Sequence, residues 1–181
     1  MKYNQKTILK NGKEAWLRNG DVTDGHVVYE LFNLAHAETD YLLSYPDENS
    51  FDPEQESRFL EEKTNSQNEI EIIAIVDDKV VGSAGIESIG TKYKVRHRAE
   101  FGISVLQEYW GLGLGKALTK ACIECARNAG YAQLELNVVA ENERAVKMYQ
   151  SFGFEEFGRN PRGFNSRVSG YQEVIYMLLV L

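Results

Sequence analysis

Three glycines at alternate positions, Gly111, Gly113 and Gly115, lie between a strand-like run that ends at Val105 and a helix-like run that begins near Lys116. No other segment constrains the chain as strongly. Glycine allows the main chain to take positive φ and to approach an anion closely. The first turn of a helix carries unpaired N–H groups and the positive end of the helix dipole. Together these form a cradle for a phosphate without requiring a basic side chain. Leu112, Gly113, Leu114, Gly115 and Lys116 would aim their amides at one point, and the Lys116 ammonium would add charge. Two other glycine-rich phosphate motifs do not fit. A dinucleotide fingerprint needs glycine where Lys116 stands, and a P-loop needs glycine at Trp110 and Ser or Thr at Ala117.

The remaining sequence describes the scaffold. A length of 181 residues with 43% apolar content suits one domain, residues 1–181, with a real core. No apolar run is long enough to span a bilayer. The first residues, Met1 to Thr7, lack the apolar segment of a secretory leader. Cys122 and Cys125 are the only cysteines and fall within a helical pattern, so they read as structural thiols, and no metal site is expected. These features point to the cytoplasm. The net charge of −7 argues against nucleic acid as a partner and would favour cationic substrates by electrostatic focusing.

Periodicity sets the element order. Lys6–Lys10 and Glu14–Arg18 flank Asn11-Gly12 and predict a hairpin with a two-residue turn. Thr23 is the expected cap of a helix reaching about Ala37, with Val27, Leu31, Leu34 and Ala35 on its inner face. Residues 38–52 read as an acidic, aromatic loop. Asp52-Pro53-Glu54 opens a second helix. Strands are expected over Glu69–Val76, Lys79–Ile86 and Ala99–Val105, with an exposed basic connection at 90–97. A helix follows Gly115 and ends near Gly130. Gln133–Val139 is a buried strand, Asn142 caps a short helix closed by Gly153, and two final strands cover Phe154–Arg159 and Gly170–Leu181. The expected fold is a mixed α/β (α+β) domain. Arg159–Arg167 reads as a lid or a hairpin tip.

These residues carry a family resemblance. The segment Val105-Leu-Gln-Glu-Tyr-Trp-Gly-Leu-Gly-Leu-Gly-Lys-Ala-Leu118 resembles the acetyl-CoA-binding segment of the GCN5-related N-acetyltransferases. Asn142, Ala145, Tyr149, Gly153 and Phe154 match that family's downstream helix, and the element order resembles the family's from end to end. One departure stands out: Trp110 occupies the position where the family carries Gln or Arg. The resemblance implies a mostly antiparallel sheet flanked by about four helices. Two parallel strands, Phe101–Val105 and Leu134–Val138, would splay apart to hold the pantetheine arm of acetyl-CoA, with contacts at Ile103 and Val105. Asn142 would touch the cofactor. The resemblance is also compatible with a homodimer.

Acetyl transfer to an amine requires a neutral amine, a stabilised thioester oxygen and a proton for the departing thiolate. Tyr149 is the expected proton donor, since a phenol placed beside the sulfur can share its proton. Glu100 is the expected general base, acting through water, with His97 as the alternative. A main-chain N–H of the 101–105 strand would hold the oxyanion. Glu38, Asp40, Tyr41, Tyr45, Asp47 and Glu48 would form an acidic, aromatic acceptor entrance. The acceptor is then a small amine (polyamine, amino acid or amino sugar) or a protein N-terminus or lysine. A non-catalytic acyl-CoA-binding module is the reading from another class.

Overall fold

A computed structural model describes all residues, Met1–Leu181. The strands are β1 (Asn4–Ile8), β2 (Glu14–Asn19), β3 (Ile70–Val76), β4 (Lys79–Ser88), β5 (Arg98–Val105), β6 (Gln133–Val139), β7 (Glu155–Ser166) and β8 (Gly170–Val180). The helices are α1 (Gly25–Glu38), α2 (Pro53–Asn65), α3 (Leu114–Asn128) and α4 (Glu143–Ser151). All eight strands form one sheet in the order β1-β2-β3-β4-β5-β6-β8-β7. Only β5 and β6 run parallel; every other pair is antiparallel.

The sheet's two faces are covered differently. Strand β3 is buried on both, with Ile70, Ile72, Ile73, Ala74 and Val76 all inaccessible, as befits a central strand. On one face α3 and α4 cover a large core that includes Leu114, Leu118, Cys122, Phe101, Leu134 and Met177. On the other, α1 and α2 meet the sheet through a small core of Val28, Leu60 and Ile73. The two cysteines are free and buried in the large core, in keeping with structural thiols.

Local chemistry explains the element boundaries. Asp77 and Asp78 both take positive φ, 49° and 62°, and turn β3 tightly into β4. Helix α2 begins with a complete capping box: Gln55 N donates to Asp52 Oδ1 (2.7 Å) and Asp52 N to Gln55 Oε1 (2.8 Å). That box fixes the register that turns Glu56, Phe59 and Leu60 inward. No helix is long and apolar enough to cross a membrane.

Several expectations fail in detail. The first hairpin closes through a five-residue loop: Ile8–Glu14 is its last strand pair, and Leu9 folds into the core. Asp24, not Thr23, is the N-cap residue of α1, and the 3-10 turn Val22–Asp24 that leads into it is capped by Asp21, whose carboxylate accepts from Thr23 N at 2.8 Å. The inner stripe of α1 is Val28, Leu31 and Ala35, whereas Val27 and Leu34 are 41% and 49% exposed. The helix starts at Gly25, one residue later than a Thr23 cap would place it. Of the two readings of Arg159–Arg167, the hairpin tip holds and the lid does not. The segment lies mostly within β7, an edge strand, where Pro161 costs no ladder hydrogen bond.

Candidate active site

The parallel pair sets the site. Strands β5 and β6 are in register only at Arg98–Gln133, Ala99–Leu134 and Glu100–Glu135. Beyond Glu100 they diverge, while β5 stays paired to β4 as far as Val105 and β6 stays paired to β8. This is the expected splay. Strand parity decides which groups face the gap. Leu106 N donates to Val81 O on the β4 side (3.0 Å), so the main-chain groups of Phe101, Ile103 and Val105 point away from β4, into the gap.

Gly111 and Gly113 lie just past the end of β5, with φ of +77° and +97°. Only glycine takes such values at little cost. Gly113 is the N-cap of α3, and the first internal bond of that helix runs from Ala117 N to Gly113 O at 3.1 Å. The amides of Leu114, Gly115 and Lys116 are therefore unused by the helix. The Leu114 side chain is fully buried, and Lys116 is exposed without an ion pair. Lys10 N, from the first hairpin's loop, donates to Leu112 O (3.0 Å) and braces the turn. Gly115 plays a different part from its neighbours. It lies inside the first turn of α3, and a Cβ there would stand 3.4 Å from Met148 Sδ, so it allows α4 to pack close.

Trp110, the departure from the family pattern, has its own partners. Its indole N–H donates to Val105 O at 2.7 Å, and the Arg144 guanidinium sits 5.0 Å over the ring. One of the gap-facing carbonyls is thus taken by the protein itself. Asn142 caps α4, accepting from Ala145 N at 3.3 Å. Two turns further on, the Tyr149 ring is buried edge-on against Phe101 (6.1 Å) and Phe154 (5.8 Å). Phe101 is the first β5 residue beyond the paired segment, so Tyr149 stands where the gap opens. Its hydroxyl has no hydrogen-bond partner in the chain, and burial raises its pKa far above an ordinary phenol's.

Glu100 lies on the opposite face of the sheet, at the last paired position. It accepts from Asn137 Nδ2 at 3.3 Å. The side chain is exposed, yet partial desolvation, then the carboxylates of Glu87 and Glu135, push its pKa up. Glu135 itself is held down by the Arg98 guanidinium. His97 precedes β5 at its paired end, away from the splay.

Between α1, α2 and the sheet lies a cavity of about 410 Å³ that reaches Ser83 on β4 and Ser104 on β5. Of the acidic and aromatic loop residues expected at an acceptor entrance, only Glu48 lines it. Most of the others hold the structure together. Asp40 accepts from the hydroxyls of Ser166 (2.7 Å), Ser169 (2.8 Å) and Tyr45 (3.1 Å), Asp47 pairs with Arg167 (2.7 Å), and Glu38 accepts from Gln107 N (2.6 Å). The loop is thereby fastened to the β7–β8 turn. The carboxyls that line the cavity with Glu48 are Glu56 and Glu71, and neither was singled out from sequence. Burial pushes each up to about 7. Gly85 makes room for Glu71, since a Cβ there would collide with Glu71 Oε2.

Residues 28–154 match the model of the acetyltransferase (GNAT) family. The chain belongs to that family. The L-amino acid N-acetyltransferase of Escherichia coli is 31% identical over 111 residues, which is 61% of this chain and 67% of that one. The matches to the next two curated relatives span 39% and 49% of their lengths. An acetyltransferase of the same family from Streptococcus pneumoniae superposes with a TM-score of 0.88 at 27% identity, covering 92% of this chain and 99% of that one. A Salmonella typhimurium protein solved with its cofactor acetyl-CoA shares the fold: TM-score 0.80, 20% identity, 92% and 94% covered. These findings support an acetyl-CoA-dependent N-acetyltransferase and do not favour a non-catalytic acyl-CoA-binding module. In this acetyltransferase the cradle, the gap and Tyr149 lie along one side of the divergent strands, and the acidic cavity opens on the other.

Proposed function

We propose that this acetyltransferase moves the acetyl group of acetyl-CoA directly onto a primary amine within a ternary complex. The observation that carries the reading is the gap between β5 and β6, which opens beside a helix N-terminus with unused amides. The diphosphate would rest on the amides of Leu112 to Lys116, with the Lys116 ammonium adding charge. Positive φ at Gly111 and Gly113 shapes that turn. The pantetheine arm would lie in the gap as an added strand, bonding the main chain of Ile103 and the free N–H of Val105. The neighbour of like fold that carries acetyl-CoA supports this choice of cofactor. Asn142 would hold the start of α4 against the arm.

The roles of the side chains follow from their surroundings. The raised pKa of Tyr149 keeps its proton in place throughout the neutral range. Full transfer to a thiolate of ordinary pKa, about 8.5, would be uphill. Tyr149 therefore acts by donating a hydrogen bond to the sulfur as negative charge builds, and solvent completes the protonation. Glu100, with its raised pKa, receives the ammonium proton through water from the opposite face. A main-chain N–H of β5 holds the thioester oxygen.

A thiol-release assay with acetyl-CoA against amines and peptides tests the reading. The parent protein should turn over at least one acceptor. Tyr149→Phe should lower kcat by roughly tenfold to hundredfold, leaving the acetyl-CoA KM within about twofold. No release by either protein with any acceptor, despite tight acetyl-CoA binding, would make the chain a binding module instead.

A further inference from the structure

The cavity on the α1–α2 face has an unusual charge balance. Its walls carry three phenylalanines, Phe32, Phe51 and Phe59, and three acids, Glu48, Glu56 and Glu71, but no lysine, arginine or histidine. Glu48 has a polar partner in Tyr45 N, and Glu71 a polar neighbour in the Ser83 hydroxyl. Glu56 has none. It is 8% exposed and forms neither a hydrogen bond nor an ion pair through its carboxyl, which lines the cavity. Lys63, the one cation felt by Glu71, is already held at 2.8 Å by both Glu69 and Glu87. No side-chain oxygen of the chain is both sealed from solvent and unpaired, so this carboxyl stays reachable from the cavity, where a cation would offset its loss of hydration.

A polar trail leads from Glu56 toward the divergent strands. Glu56 lies close enough to Glu71 to raise its pKa, the Ser83 hydroxyl lies beside Glu71 and counters that rise, and Ser83 Oγ stands 3.5 Å from Ser104 Oγ on β5. The trail thus joins an unpartnered carboxyl to the strand that borders the gap.

We propose that the cavity takes an alkyl diamine or longer polyamine, holding one ammonium at Glu56 and Glu71 and presenting a second amine at Ser104. The phenylalanine walls cover the methylene chain and offer ring faces to the cation. A carboxylate carried on the acceptor would meet three acids and no base, so α-amino acids are excluded. This assignment rests on the acetyl-transfer reading for its second amine, but the binding of the first ammonium can be measured separately.

The test is calorimetry of three amines on the protein saturated with CoA: 1,5-diaminopentane, pentylamine and lysine. They differ by one ammonium and one carboxylate. The diamine should bind at least about tenfold more tightly than either of the others. Glu56→Gln keeps the side chain's shape and should weaken the diamine and pentylamine alike, by about tenfold, because each places an ammonium there. Glu54→Gln, on the exposed face of the same helix, should change nothing. Equal binding of lysine or pentylamine to the parent protein, or undiminished amine binding in Glu56→Gln, would overturn the assignment. If the diamine binds through Glu56 but no thiol is released with acetyl-CoA, the assignment stands and the transfer reading falls. If another amine class is acetylated while the diamine binds no better than pentylamine, transfer stands and the assignment falls.

Discussion

The two sides of the divergent strands are built from different materials. On the α3–α4 side the proposed cofactor site is nearly all main chain: amides of Leu114 to Lys116, gap-facing groups of Ile103 and Val105, and a turn shaped by Gly111 and Gly113. On the α1–α2 side the cavity is made of side chains, Glu56, Glu71, Ser83 and Ser104, drawn from one helix and three strands. A backbone site recognises what every acyl-CoA shares. A side-chain site can be altered residue by residue, so the choice of amine belongs there.

The two sides should fail independently. The largest expected effect is on the backbone side. Gly113→Val places a β-branched residue at φ +97° and disturbs the first turn of α3. Acetyl-CoA affinity should fall about a hundredfold, roughly 2.7 kcal/mol, as read by calorimetry. Diamine binding to the same variant, measured at saturating CoA, should stay within about threefold. A parallel loss on both sides would mean that the two sites are one mechanical unit.

A somewhat smaller effect, of roughly 2 kcal/mol, is expected on the side-chain side, and it concerns stability. Glu56 and Glu71 are both pushed up to about 7 by burial, and the groups around them are Glu48, Glu87 and the already paired Lys63. Their folded pKa exceeds the unfolded one, so the folded state holds more protons between about pH 4.5 and pH 7. The stability they contribute is complete below that window and lost as pH rises through it. Glu56→Gln should therefore stabilise the protein at pH 8 by roughly 2 kcal/mol and make almost no difference at pH 4.5. Denaturant titrations at the two values check this, and a shift independent of pH would contradict it. The same substitution should weaken diamine binding, so function and stability would pull in opposite directions at Glu56.

The contrast also explains how much was legible in the sequence. Gly111 and Gly113 recur at fixed spacing because backbone geometry demands them, and Asn142 and Tyr149 sit on one short helix. A contiguous signal of this kind can be read from one chain. The element order was legible for similar reasons, and the parallel pair with its splay followed from the family resemblance. Glu56 and Glu71 lie fifteen positions apart on a helix and a strand, in patterns that read as surface acid. Only the packing of α2 over β3 brings them to one cavity. The loop acids misled for the converse reason. Asp40 and Asp47 look free in sequence, yet their partners Ser166 and Arg167 lie more than a hundred residues away. Arg159–Arg167 read as a lid or a hairpin tip, and the pairing of β7 with β8 decides for the hairpin, whose edge strand tolerates Pro161 and Gly163.

Amide hydrogen exchange with and without CoA tests the central claim most directly, because the proposed contacts are main-chain N–H groups. Addition of CoA should slow exchange at Ile103, Val105, Leu114, Gly115 and Lys116 by about tenfold or more, and leave α2 around Glu56 unchanged. Unchanged rates at those five amides in protein that demonstrably binds CoA would place the cofactor elsewhere and contradict the account.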